Sequence, residues 1–255
     1  MLSSFTRIRF IMVAPSHPGN VGSAARAIKT MGFGELVLVA PKDPDIRNNP
    51  EAIALSSGAA DVLQNTIITA TLDEALAPVT LSFALTARHR DMGPPALDIR
   101  QSAGLSARHL AGTSQNCVAI VLGTERTGLD NEEISRCHRI CHIPANPQYS
   151  SLNVSQALQL AAWELRYALL GQQKTAIETE NTAESQTGFA PQEKVEAFIS
   201  HWQQALVAID FLNPEHPKKL MPRMRYLFNR IHMSQEEVDM MRGVCTNIIK
   251  QASKK

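Results

Sequence analysis

Residues 143–170 read IPANPQYSSLNVSQALQLAAWELRYALL, and the way this stretch folds organises the rest of the chain. Pro144 and Pro147 keep the backbone extended, so a helix cannot begin before about Tyr149. Beyond that point Val154, Leu158, Ala161, Leu165 and Leu169 recur at spacings of three and four, the pattern of a helix buried along one face. Ser150, Ser151 and Asn153 fall where a strand end gives way to that helix. Two readings are open. The short polar side chains cap the helix, or they join the free backbone N–H groups in holding a ligand.

Outward from this joint, short β-branched runs alternate with amphipathic segments. RIRFIMVAP (7–15), ELVLVAP (35–41), TIITA (66–70), TLSFALTAR (80–88), CVAIVLG (117–123) and RICHIP (139–144) read as strands. Most are apolar throughout, as strands covered on both faces of a parallel sheet are. Between them lie helices at NVGSAARAIKTMG (20–32), with Asn20 as N-cap and Gly32 or Gly34 as stop, and near 51–63. Others open at the capping box Thr71–Glu74, over DIRQSAGLSARHLA (98–111), and after Asp130. The alternation predicts an α/β domain on a mostly parallel sheet, spanning residues 1–170. Ligands of such sheets collect at the carboxyl ends of strands, which points to residues 15–20, 86–88, 123–126 and 143–153.

GQQKTAIETENTAESQTGFA (171–190) is polar and poor in large apolar residues, the composition of a linker. Residues 191–255 then predict two or three helices with ten Lys/Arg against seven Asp/Glu, a mildly basic balance. Their apolar residues make a thin core, so this piece is expected to pack on something else, such as a partner subunit. With 44% hydrophobic and 19% charged residues the whole resembles an ordinary soluble protein. No apolar run reaches the ~18 residues of a membrane span. MLSSFTRIRFIMVAP reads as a first strand rather than a signal peptide. Four cysteines without a disulfide-like spacing point to the reducing cytoplasm.

Neither G-x-x-x-x-G-K-[ST] nor G-x-G-x-x-G occurs, which removes the P-loop and the standard dinucleotide fingerprint and leaves a nicotinamide dehydrogenase a distant third reading. CHRICH (137–142) has the wrong spacing for haem attachment or zinc and sits on a strand, so no metal is expected. Two stretches remain. In NVGSAAR (20–26) the apolar stripe Val21, Ala24, Ala25, Ile28 and Met31 turns Arg26 away from the sheet, about one turn from the bare backbone of Gly22. Arg26 is then either a solvated side chain or a planar fork displayed for a phosphate or carboxylate. In LGTERTGLD (122–130), Gly123, Glu125, Arg126 and Gly128 follow the strand 117–123 directly. That composition suits a plain turn or a ligand loop.

Taken together and in order, NVGSAAR, LGTERTG and IP-x5-SSLNVSQA resemble the three motifs of the TrmH-type branch of the SPOUT methyltransferases, over about residues 7–170. The polar linker and the basic tail with KKLMPRMRYLFNR are similar to those members that 2′-O-methylate the ribose at position 32 of the tRNA anticodon loop. The resemblance implies an α/β fold whose C-terminal portion, here about Gly123–Leu170, threads a trefoil knot. It also implies S-adenosylmethionine as cofactor, and a homodimer in which each site borrows residues from its neighbour. By motif, Thr86, Ala87, Arg88, Gly123, Ile143, Ser150, Ser151 and Leu152 would line the cofactor pocket. Arg26 and Asn20 would act on the RNA, with Glu125, Ser151 and Asn153 in support. The tail 191–255 would bind tRNA.

Transfer from a sulfonium is an in-line displacement, so the enzyme must align a ribose oxygen with the methyl group and stabilise its developing negative charge. Free guanidinium is too basic to accept a proton, so Arg26 is expected to position and stabilise. Competing readings are a ribose methylase acting elsewhere on tRNA or on ribosomal RNA, and a non-catalytic RNA-binding module with the same fold.

Overall fold

Seven strands form one fully parallel sheet in the computed structural model, which describes residues 4–88, 93–175 and 189–254. In chain order they are β1 (Ile8–Val13), β2 (Glu35–Val39), β3 (Ile67–Thr69), β4 (Leu81–Leu85), β5 (Ala96–Asp98), β6 (Val118–Leu122) and β7 (Arg139–His142). Their spatial order is β3-β2-β1-β6-β4-β7-β5. Alternate residues of β1 enter two separate cores: Ile8, Phe10 and Met12 on one face, Ile11 and Val13 on the other. That double burial is why β1, β2, β4 and β6 are apolar at nearly every position.

The first face is covered by α1 (Pro18–Thr30), α2 (Pro50–Ser56), α3 (Ala60–Gln64), α5 (Ile99–Gly112) and α7 (Val154–Thr175). The second lies under α4 (Leu72–Leu76) and α6 (Asn131–Ser135). The stripe on α7 is buried as its spacing requires, with Leu158, Ala161, Leu165 and Leu169 all inaccessible. α1 stops at a Schellman turn: Phe33 N donates to Ile28 O and Gly32 N to Lys29 O, with Gly32 at φ +81°.

Several expectations need correction. α1 begins at Pro18 with His17 as N-cap, so Asn20 lies inside the first turn; proline is favoured there because its missing N–H would be unpaired anyway. Gly22 does not offer bare backbone to a ligand. A Cβ there would overlap the carbonyl of Ala52, so the glycine exists to let α2 cross α1 closely. The helix expected near 51–63 is two, broken at Ser57 (φ +50°). β5, three residues long, carries no pattern that sequence reading could use. α7 starts at Val154 and runs on to Thr175, into the segment read as linker; the rest of that segment up to 188 lies outside the described residues.

The tail folds as α8 (Gln192–Ala208), α9 (Leu220–Ile231) and α10 (Gln235–Ala252) around Phe198, Phe228, Val238 and Cys245. It packs on its own chain, at the amino ends of the strands. Gln192 N donates to Val79 O at 2.7 Å, and Asn229 Nδ2 to Ser135 O at 3.0 Å. A column of stacked rings seals the seam: His109 on Phe189, Phe189 on His232 and His232 on His138, with centroids 4.9–5.3 Å apart. Among the described residues no helix is long and apolar enough to cross a membrane, and Cys117, Cys137, Cys141 and Cys245 are unpaired thiols.

Candidate active site

β1, β6, β4 and β7 end in register, with Met12 beside Leu122, Leu122 beside Leu85 and Leu85 beside Cys141. The segments leaving those ends therefore emerge side by side. An open cleft of about 140 Å³ lies between them, lined by Thr86, Ala87 and Arg88 after β4, Gly123 to Gly128 after β6, and Ile143, Ser150, Ser151 and Leu152 after β7. Every residue expected at a cofactor pocket is on this wall.

Gly123 and Gly128 serve the loop's own folding first. Gly128 takes φ +66°, and a Cβ on Gly123 would overlap the backbone of Gly128 and Leu129. The resulting turn is closed by Gly128 N donating to Thr124 O at 3.0 Å and by paired hydroxyls of Thr124 and Thr127. It holds Glu125 out over the start of α1. There the carboxylate accepts hydrogen bonds from Ser16 N, Ser16 Oγ and His17 N at 2.9–3.3 Å, and from Asn20 Nδ2 at 3.2 Å. Burial pushes the Glu125 carboxyl up, but its backbone and side-chain donors outweigh this and hold it below the usual carboxylate value.

The chain of contacts continues. Asn153 Nδ2 donates to Asn20 Oδ1 at 3.0 Å, while Asn153 Oδ1 accepts from Ser155 N at 2.9 Å and Ser155 Oγ at 2.6 Å. The capping reading of Asn153 is met, since one end of its amide caps α7, and the other end reaches Asn20 on the neighbouring segment. Glu125, Asn20 and Asn153 thus tie together the loops after β6, β1 and β7. Sequence reading pointed to the stretch 15–20 without singling out Ser16 and His17, which donate backbone N–H groups and, from Ser16, a hydroxyl to Glu125, and it missed the cleft's apolar floor of Leu85, Leu122, Val154 and Ala157. Backbone donors carry no sequence signal; the floor could have been found as the last residues of the strands and first inward positions of α7.

Arg26 is separate from this assembly. It is exposed on α1, about two turns beyond Asn20, and its guanidinium has no partner among the described residues. It does not line the cleft of its own chain. His138, from the CHRICH cluster, is buried instead against Ser82 Oγ at 2.9 Å, and no group of three metal-ligating side chains occurs among the described residues.

The cleft fits S-adenosylmethionine in kind. Its aliphatic floor suits the flat purine, while Thr86, Ser150 and Ser151 offer hydroxyls for the sugar and Arg88 and Arg126 are cations within reach of the opening for a carboxylate.

Residues 7–163 match the SpoU rRNA Methylase family, and residues 193–255 match the C-terminal domain of the tRNA methyltransferase TrmJ. The tRNA (cytidine/uridine-2′-O-)-methyltransferase TrmJ of Escherichia coli K12 is 41% identical over 244 residues, covering 96% of both chains. The crystal structure of TrmJ from Zymomonas mobilis ZM4 superposes with a TM-score of 0.79 at 30% identity, over 94% of this chain and 98% of that one. A probable methyltransferase from Bordetella pertussis Tohama I is 72% identical over 66% of this chain and 99% of its own, with a TM-score of 0.64. The likeness runs along nearly the whole length, sheet domain and helical tail alike, and the chain belongs to the SpoU methylase family, among its TrmJ-type tRNA methyltransferases.

Proposed function

We propose that this protein 2′-O-methylates the ribose of cytidine or uridine at position 32 of the tRNA anticodon loop, in the cytoplasm, using S-adenosylmethionine. The observation that carries the reading is the convergence of three loops on one cleft, locked by Glu125, Asn20 and Asn153. S-adenosylmethionine supplies an electrophilic methyl group when bound. Thr86, Ala87, Arg88, Gly123, Ile143, Ser150, Ser151 and Leu152 would hold it.

The remaining work falls to the chain's own groups. Asn20, fixed in one amide orientation by Glu125 and Asn153, positions the acceptor ribose at the edge of the cleft. Arg26 grips the flanking phosphate and stabilises the negative charge that builds on the 2′-oxygen. Because Arg26 points away from its own cleft, it acts on the cleft of a second subunit. Leu160, Trp163, Tyr167 and Leu170 leave an exposed apolar strip on α7, which supports pairing of two chains along that helix. The knot threading Gly123–Leu170 follows from family membership, and β7 lying between β4 and β5 is compatible with it.

Lys218, Lys219, Arg223 and Arg230 are exposed on and beside α9 and supply salt-dependent tRNA affinity. A ribosomal RNA substrate is the second reading, favoured only by the name of the family that covers residues 7–163. Incubating total tRNA and ribosomal RNA with the protein and labelled S-adenosylmethionine, then mapping methylated riboses, decides between them. Label confined to position 32 of tRNA is the expected result; label elsewhere or none overturns the proposal.

A further inference from the structure

A second depression adjoins the cleft, on the other side of the Asn20–Asn153 bridge. It is lined by His17, Asn20, Ser23, Asn153, Ser155 and Gln156, with Glu51 and Leu55 of α2 at its rim. We infer that this groove receives the pyrimidine base of the acceptor nucleotide, and that the Gln156 amide reads its Watson–Crick edge. The inference rests on the ribose-methylation reading above and adds where the base goes and what recognises it.

Three observations support it. First, the two depressions share a wall. Glu125 lines the cleft and holds Asn20, which lines the groove, and Asn153 bonds to Asn20 across the seam. A nucleoside with its base in the groove places its ribose over that wall, beside the methyl donor's cleft. Second, the lining is hydrogen-bonding but carries no Lys or Arg, and the Glu51 carboxylate repels phosphate. A neutral, polar, flat group suits it better than the RNA backbone.

Third, the amides divide their labour. Those of Asn20 and Asn153 are committed to Glu125, to each other and to the cap of α7. Gln156 is exposed at the groove and its side-chain amide makes no hydrogen bond among the described residues. A free carboxamide presents one donor and one acceptor side by side. Uridine offers O4 and N3–H, and cytidine offers N4–H and N3. Rotating the amide by half a turn pairs it with either, which accounts for a site that takes both pyrimidines. A purine would present its edge farther from the sugar.

The test uses full-length tRNA assembled from synthetic halves, with uridine, cytidine or 3-methyluridine at the target. The wild-type protein should methylate uridine and cytidine with similar kcat/KM and lose about tenfold or more on 3-methyluridine, whose N3 cannot donate. Gln156→Leu should lower kcat/KM on uridine and cytidine by about the same factor, through KM, and be indifferent to N3 methylation. Its S-adenosylmethionine affinity and melting temperature should match the wild type, because Gln156 is on the surface. A wild-type protein that ignores the N3 methyl group, or a Leu variant that keeps the full N3 penalty, overturns the inference while leaving the activity standing. Absence of methyl transfer to any tRNA overturns the activity and the inference with it.

Discussion

Glu125→Ala should be the most informative single substitution, because one carboxylate joins two loops and the start of α1. It removes the acceptor for Ser16 N, Ser16 Oγ, His17 N and Asn20 Nδ2. Hydrogen bonds to a charged group are worth about 1.5–3 kcal/mol when sheltered. This carboxylate is partly exposed and water replaces some of what is lost, so the net cost is about 2 kcal/mol. In a chain of this size that lowers the melting temperature by about 4–8 °C. Glu125→Gln keeps an acceptor and loses only the charge at the helix start, about 1 kcal/mol.

The pH dependence separates charge from shape. The folded-state pKa of Glu125 is depressed, so below the ordinary carboxylate value the unfolded chain binds the proton first. The stabilisation is complete above about pH 4.3 and is lost as pH falls through the lower folded value. Urea midpoints of wild type and Glu125→Gln should therefore differ at pH 7 and draw together as pH falls below about 4.3. A Glu125→Ala protein melting within a degree or so of wild type at pH 7, or a Gln gap that does not narrow at all on acidification below about pH 4.3, would refute the role given to this carboxylate.

Arg26→Ala should cut turnover by about a hundredfold or more with S-adenosylmethionine binding unchanged by calorimetry. Mixing Arg26→Ala chains with chains defective at Ser150 and Ser151 should restore one working site per dimer if Arg26 acts across subunits. Asn153→Asp keeps the α7 cap but replaces the donor to Asn20 with an acceptor, so it should fold normally and turn over at least about tenfold slower. Gly22→Ala should cost about 2–4 kcal/mol by forcing α2 off α1, visible as a large fall in melting temperature. Burial lowers the pKa of His109 and of His232 to about 4, so the unfolded state takes up protons first as pH falls. Stability should decline from about pH 6.5 downward, and His232→Phe should flatten that slope in a thermal melt series.

Pattern revealed six of the seven strands and the buried stripe of α7, because inner strands covered on both sides leave long apolar runs and the exposed edge strand β3 is still β-branched. The three-residue β5 leaves no such run. Tertiary contacts decided what pattern could not. Asn20 looked like a cap because Asn favours that place, yet Pro18 starts the helix and frees Asn20 for Glu125. Gly22 looked like an opening for a ligand, and it is where a neighbouring helix crosses. At the site, side chains such as Glu125 and Asn153 could be picked out from their place after strands, whereas the N–H groups of Ser16 and His17 could not, since any residue supplies them. The tail was expected to seek a partner for its thin core; it found one in its own chain.

That docking sets a minimum size for the substrate. The tail meets Val79 and Ser135, below the first residues of β4 and β7, while the cleft opens past the last residues of the same strands. Four or five residues at about 3.3 Å each separate the two ends by about 15 Å before any loop is counted. A short oligonucleotide filling the cleft cannot also touch α9 of that chain. Trimming the RNA should therefore show a threshold length, below which removing residues 191–255 no longer changes how the protein handles it.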